Sequence, residues 1–299
     1  MKFLQLSLLA ITLLSVNFVT AFAVEESSAT TNATPAPTED KLGYFDWLLH
    51  IPSDYVGAGE SIWRKETIAP ALAVIGSTAV LMKYDYELWQ PLAAHYGESK
   101  SYKRVSDIGA SMGKGDRQIL LGGVFLVAGI ASKSHRSLRT ASQVLEGVLA
   151  TGILDQVMKH AIGRQSPDSV TTCRTGCWQP FTKLSTYNKH VAAYDAYPSG
   201  HLLTALTTVE VIRRNYAEQS WIPYVGYPLV AVVANGMVAT SGHWWSDYPI
   251  SIFLAYHFAK AVTANNPEQI ALQKTASTWD VNYFTPFPGA QGLAFTTSF

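Results

Sequence analysis

Charge is what this chain has least of. Lys, Arg, Asp and Glu together make up 15% of its 299 residues, where ordinary soluble domains carry about 25%. The signs also cancel, with 22 cationic and 22 acidic side chains. Without a basic surplus there is no electrostatic footprint for nucleic acid, so none is expected as a partner. Cysteine is nearly absent: Cys173 and Cys177 are the only two. No cluster of ligand-type residues has the spacing of a metal site, so no metal and no cofactor is expected. Internal repeats and heptads are missing as well. No apolar run settles a membrane span either. Residues 67–82 and 118–132 are almost uncharged but fall short of the roughly 20 residues a bilayer needs, and the longer run 221–240 contains Pro223, Pro228 and Asn235.

What is plentiful is apolar surface, at 48% of residues. Such a chain either buries heavily or touches lipid, and aromatics at segment edges (Trp63, Trp89, Trp221, Tyr224) incline the reading to membrane association. The chain opens with Lys2, an apolar stretch from Leu4 to Val19 and Ala21-Phe22-Ala23. That is the pattern of an export signal over 1–23, with a retained anchor as the alternative. The Ser/Thr/Ala/Pro-rich segment 24–40 reads as a flexible linker. A helical domain is expected over 41–265 and a C-terminal extension over 266–299. In the extension Trp279, Val281 and Tyr283 alternate and Pro286 and Pro288 interrupt, which suggests a short hairpin or an extended strap. Export places the body in the cell envelope, on the periplasmic side. There Cys173 and Cys177 would close a small disulfide loop near Trp178 and Phe181, with free thiols or a metal pair as the other readings.

Three stretches carry chemistry. In Tyr197-Pro198-Ser199-Gly200-His201, Ser199 is a natural N-cap and Gly200 admits close approach to the backbone. A helix with Leu202, Leu203, Leu206, Val209 and Ile212 on its apolar positions follows at once. Free N–H groups at such an N-terminus form an anion site, with His201 in the first turn beside it. In His243-Trp244-Trp245-Ser246-Asp247, the aspartate lies four positions after the histidine. On a helix the two share a face, so that Asp247 would fix the tautomer of His243 and leave its other nitrogen free to attack. Upstream, Lys159 falls near the end of a helix patterned by Val144, Leu145, Val148, Leu149, Ile153 and Val157. Gly163 and Pro167 would end that helix.

Together and in this order the three stretches resemble the superfamily of type 2 phosphatidic-acid phosphatases, bacterial acid phosphatases and vanadium haloperoxidases. The family writes them Lys-x6-Arg-Pro, Pro-Ser-Gly-His and Ser-Arg-x5-His-x3-Asp. The second is complete here, as are the histidine and aspartate of the third. Both arginines are replaced, by Ser166 and Met237, and Gly236 stands in the place of serine. Arg164, two positions before Ser166, is the substitute at hand, and its loss should then abolish phosphate binding.

The resemblance implies an all-α bundle of six to eight helices with a short non-helical C-terminal strap. It implies an envelope phosphatase acting on phosphomonoesters or pyrophosphates. His243 would be the nucleophile, oriented by Asp247, with His201 as general acid. Lys159, Arg164, Ser199 and Gly200 would bind the phosphate. The expected partner is a phosphorylated lipid or a small phosphoester. The alternatives are a catalytically silent, phospholipid-binding or structural relative and, further off, a vanadate-dependent peroxidase.

Overall fold

The computed structural model describes residues 46–169 and 173–264, together with the backbone of 280–287 and 290–296. The expected export signal and linker lie outside the described residues. Nine α-helices occur among the described residues, more than the six to eight expected. The surplus includes one short turn in a connection, α6. The helices are α1 (Asp46–Ile62), α2 (Ile68–Glu98), α3 (Lys100–Met112), α4 (Gly115–Ser132), α5 (His135–Ile162), α6 (Leu184–Tyr187), α7 (Gly200–Asn215), α8 (Trp221–Ala239) and α9 (Tyr248–Val262). Strands β1 (Asp280–Phe287) and β2 (Ala290–Thr296) pair antiparallel as a hairpin. The fold is all-α, as expected.

Helix ends follow the local chemistry. Ser134 and Ser199 cap α5 and α7, their hydroxyls accepting the N–H of Ser137 and Leu202. Gly163 ends α5 in the left-handed region at φ 63°, where a Cβ would also collide with the carbonyl of Gln179. The core gathers where α7, α8 and α9 meet, around Leu203, Leu206, Val230, Val238, Ile252 and Ala255. Helix α5 packs on α4 and α7, and α1 lies over α5 and α9.

The expected inner face of α5 proves to be rotated. Val144 and Val148 are buried, but Ile153 and Val157 are 51% and 61% exposed, while Thr151, Asp155 and Lys159 are buried. The buried stripe runs through 140, 144, 147, 151, 155 and 159, so the helix starts apolar and ends by carrying an ion pair inward. Delivery of Lys159 into the interior overrides amphipathic pattern in the last two turns.

Helices α3 and α8 cross with their backbones in contact. A Cβ at Gly236 would lie 2.5 Å from the carbonyl oxygen of Ser106 and 2.6 Å from the backbone nitrogen of Ala110. Gly236 therefore stands where the family motif has serine because α3 occupies the space, and its neighbour Met237 is buried in the core. Gly236→Ala is expected to destabilise the fold by about 1–3 kcal/mol through overpacking, read as a lowered midpoint in denaturant unfolding; an unchanged midpoint would mean that the crossing is loose.

Candidate functional site

His243 sits in the connection between α8 and α9, its ring buried. Its Nδ1 lies 2.7 Å from the carbonyl oxygen of Ala196 and 3.4 Å from Oδ2 of Asp247. A carbonyl can only accept, so Nδ1 carries the proton and the lone pair is left on Nε2. Ala196 is thus the nearer orienting group, one that the spacing of the motif does not reveal. Ala196 is held in turn by its N–H, which donates to the carbonyl of Arg164.

Asp247 does not share a helix with His243, contrary to the expectation. His243 lies before a 3-10 turn, Trp245–Asp247, that precedes α9 and ends in Asp247 itself. The carboxylate folds back to accept the N–H of Trp244 at 2.7 Å, and that turn brings it to the histidine. Its other oxygen accepts from Arg164.

Arg164 is fully buried and its terminal nitrogens are taken. They donate to Asp247, to Oγ of Ser246 at 2.7 Å, to Oδ2 of Asp85 at 2.8 Å and to the carbonyl of Thr175 at 2.8 Å. Trp178 and Trp244 cover the guanidinium, 5.0 and 5.7 Å from their ring centres. This corrects the expectation that Arg164 substitutes for the missing arginines as a phosphate ligand. It is a buried strut joining α2 to the turn that carries Asp247. Asp85 also accepts the N–H and hydroxyl of Ser246. The disulfide between Cys173 and Cys177 closes the loop whose Thr175 carbonyl meets Arg164, so this loop braces the strut as well.

On the facing side, the His201 and His243 ring centres are 6.1 Å apart with planes at 66°. Ser199 is buried at the start of α7. Its hydroxyl accepts from Leu202 at 3.4 Å, which leaves its own proton free for an anion. Gly113, in the turn between α3 and α4, abuts His201, since a Cβ there would lie 2.8 Å from that of the histidine. Burial first, then the charges of His243, Lys159 and Lys114, lowers the His201 pKa from 6.5 to about 3. Lys114, exposed at the N-terminus of α4, is a further cation whose field reaches His201 and that the motifs do not include.

Lys159 reaches the pocket already paired. Its Nζ lies 3.1 Å from Oδ2 of Asp155 and 4.0 Å from Oδ2 of Asp195. A Cβ at Gly200 would collide with the Asp155 carboxylate, so this buried acid lies against the positive end of α7. Its Oδ1 has no hydrogen-bond partner among the described residues, and burial raises its pKa against the pull of Lys159. The i, i+4 spacing of Asp155 and Lys159 was visible in the sequence; the contact with Gly200 was not. Ser166, at the first missing arginine, is buried with its hydroxyl on the carbonyl of Ala192 at 2.7 Å.

The neutral buried histidine has a pH consequence. Because its folded pKa of about 3 is below the 6.5 of the unfolded chain, His201 contributes stability that is present above pH 6.5 and lost as pH falls towards 3. His201→Gln should accordingly flatten the fall of the melting temperature across that window relative to wild type. Parallel curves would show that His201 is solvated.

Residues 140–271 match the PAP2 superfamily, a family that is generally phosphatase in activity. The match spans Lys159, Arg164, Ser199, Gly200, His201, His243 and Asp247; Asp85 and Lys114 lie before it. Neither the curated proteins nor the solved structures contain a match to this chain. Two histidine rings, set edge to face at the head of a capped helix, lie on the stretch of this chain, residues 140–271, that matches the PAP2 superfamily.

Proposed function

We propose that the protein hydrolyses phosphomonoester or pyrophosphate groups of a phosphorylated lipid through a phosphohistidine intermediate. The observation that supports it best is the pairing of His201 with His243, whose Nδ1 is committed to Ala196 and whose Nε2 is thereby nucleophilic. In the first step the entering phosphate dianion offsets the burial and the cations that keep His201 neutral, so that His201 takes up a proton. Nε2 then attacks phosphorus, the N–P bond forms and the ester P–O bond breaks, and the departing oxygen takes that proton from His201. In the second, water attacks phosphorus, its proton passes to His201, and the N–P bond breaks to release phosphate.

The charge that develops on His243 is met by Asp247. Arg164 stands between two carboxylates, so the trio is formally one negative charge in excess. Lys159, the Ser199 hydroxyl and the Gly200 N–H would hold the equatorial oxygens. The pocket lacks both motif arginines, and each absent donor commonly costs about a hundred- to thousandfold in rate, so slow turnover is part of the proposal.

A lipid substrate is supported by surface composition. The helical segments Lys65–Glu98 and Trp221–Ala239 are long and apolar enough to cross a membrane by length and composition, with 33% and 50% of their most apolar windows buried. The disulfide favours an oxidising compartment such as the envelope. A second reading, a silent relative that binds phospholipid without cleaving it, is favoured by the packing roles of Ser166 and Met237. The deciding experiment incubates the protein with lipid phosphates, isoprenyl diphosphates and soluble monoesters, then denatures it in alkali and looks for phosphate on histidine. Release together with a labelled His243 supports the hydrolase; no release from the whole panel overturns it in favour of the silent reading.

A further inference from the structure

Between α3 and α4 lies a groove of about 920 Å³ that none of the motifs touches. Its lining combines Lys100, Lys103, Arg104 and Arg117 with the apolar Ile108 and Leu121, and Asp107 is the one carboxylate that lines it among the described residues. Two of these cations have acidic neighbours, Lys103 with Asp107 at 3.8 Å and Arg117 with Asp116 at 3.9 Å. Both pairs are half exposed or more, and such pairs hold their charges weakly. In a chain with so little charge, four cations around one groove are a concentration that packing does not require.

Next to the groove, α4 carries an apolar stripe. Along α4, Leu120, Val124, Val127 and Ile130 are 62%, 58%, 67% and 65% exposed, at spacings that keep them on one side of the helix. At a rise of 1.5 Å per residue the stripe is about 15 Å long, roughly half the hydrocarbon thickness of a bilayer. Cations at one end and a leaflet-length of apolar side chains beyond them match an amphiphile whose head is anionic. At the inner end Met112 lines the groove, and the next residue, Gly113, is the one that abuts His201. The Gly113 carbonyl accepts from Thr204 of α7 at 3.1 Å.

We propose that this groove is a binding site for an acidic phospholipid, with the headgroup among Lys100, Lys103, Arg104 and Arg117 and an acyl chain along the outer face of α4. The bound lipid holds the turn at Gly113, and with it the mouth of the histidine pocket, at headgroup level. It is a docking lipid rather than the one cleaved, so the site is independent of the hydrolytic reading.

The test is direct binding of the full-length protein to vesicles of phosphatidylcholine alone or with about one third phosphatidylglycerol, a lipid without a phosphomonoester. Binding should be at least tenfold tighter to the anionic vesicles at physiological salt. Lys100→Gln, Arg104→Gln and Arg117→Gln should each remove roughly fivefold, and the triple variant should lose the preference with an unchanged melting temperature. Should the triple variant fold poorly, Asp107→Asn gives the opposite sign, tightening anionic binding. Leu120→Asn with Val127→Asn should weaken binding to both vesicle types. Equal binding to neutral and anionic vesicles overturns the proposal, as does an undiminished preference in the triple variant. Full displacement of the vesicles by millimolar glycerol phosphate also overturns it, because the site would then be one for a soluble phosphate.

Discussion

His243→Ala is expected to abolish phosphate release from every substrate the wild-type protein cleaves, a loss on the order of 10⁴-fold or more, as for removal of a nucleophile elsewhere. On the proposed mechanism the ring does two things at once: Nε2 makes the new bond to phosphorus, and the Nδ1 proton, held by Ala196 beside Asp247, shares the resulting positive charge. Alanine removes both, and His243→Asn separates them. The amide can still donate to the Ala196 carbonyl, which keeps the connection between α8 and α9 in place, but it cannot form a stable bond to phosphorus. The Asn variant should therefore match Ala in lost activity and exceed it in melting temperature. If the Asn variant retains activity within tenfold of wild type, water attacks phosphorus directly and no phosphohistidine is formed.

Asp155→Asn carries the second large effect, and its sign is the less intuitive one. A carboxylate against Gly200 competes with phosphate for the positive end of α7 and takes Lys159 as its own partner. Like charges a few ångströms apart in a poorly solvated pocket cost several kcal/mol, so an incoming phosphate favours the protonated acid. Burial already raises the Asp155 pKa, and an arriving dianion raises it further, so binding takes up a proton at this site. Affinity for phosphate or vanadate should increase as pH falls, and the protein should work best in acid. Asparagine is permanently neutral, so the variant should bind vanadate roughly ten- to a hundredfold more tightly at neutral pH and lose most of the pH dependence. Weaker binding in the variant would show instead that Asp155 serves only to orient Lys159. Measuring vanadate affinity against pH in wild type and variant distinguishes the two, because an orienting role leaves the slope in place.

The sequence made the three candidate stretches legible because each is local. A cap followed by a helix, a lysine in a last turn and a histidine near an aspartate are all written within a few residues. It also gave the helix stop at Gly163, whose left-handed conformation glycine alone adopts freely. The orientation of α5 was not legible, since the side of a helix that faces inward is decided by its neighbours, and Ile153 and Val157 yield the inner side to Asp155 and Lys159. The role of Arg164 was hidden for the same reason. Its partner Asp85 is 79 positions away on α2, and nothing around Asp85 in the chain marks it as buried. Asp247 was placed near His243 by the right arithmetic and the wrong geometry, because Trp245, Ser246 and Asp247 form a 3-10 turn where a continuous helix was expected.

The strut at Arg164 also constrains how such a chain can change over generations. Removing the cation strands two buried anions, and removing either carboxylate leaves buried guanidinium protons short of an acceptor; each single step is costly, whereas replacing all three by apolar residues of similar volume can be nearly neutral. Asp85, Arg164 and Asp247 are therefore expected to be inherited or lost as a set. A lineage that gave up the turn carrying Asp247 would have to cross a valley of poorly folded intermediates, which shields the histidine pocket from gradual erosion.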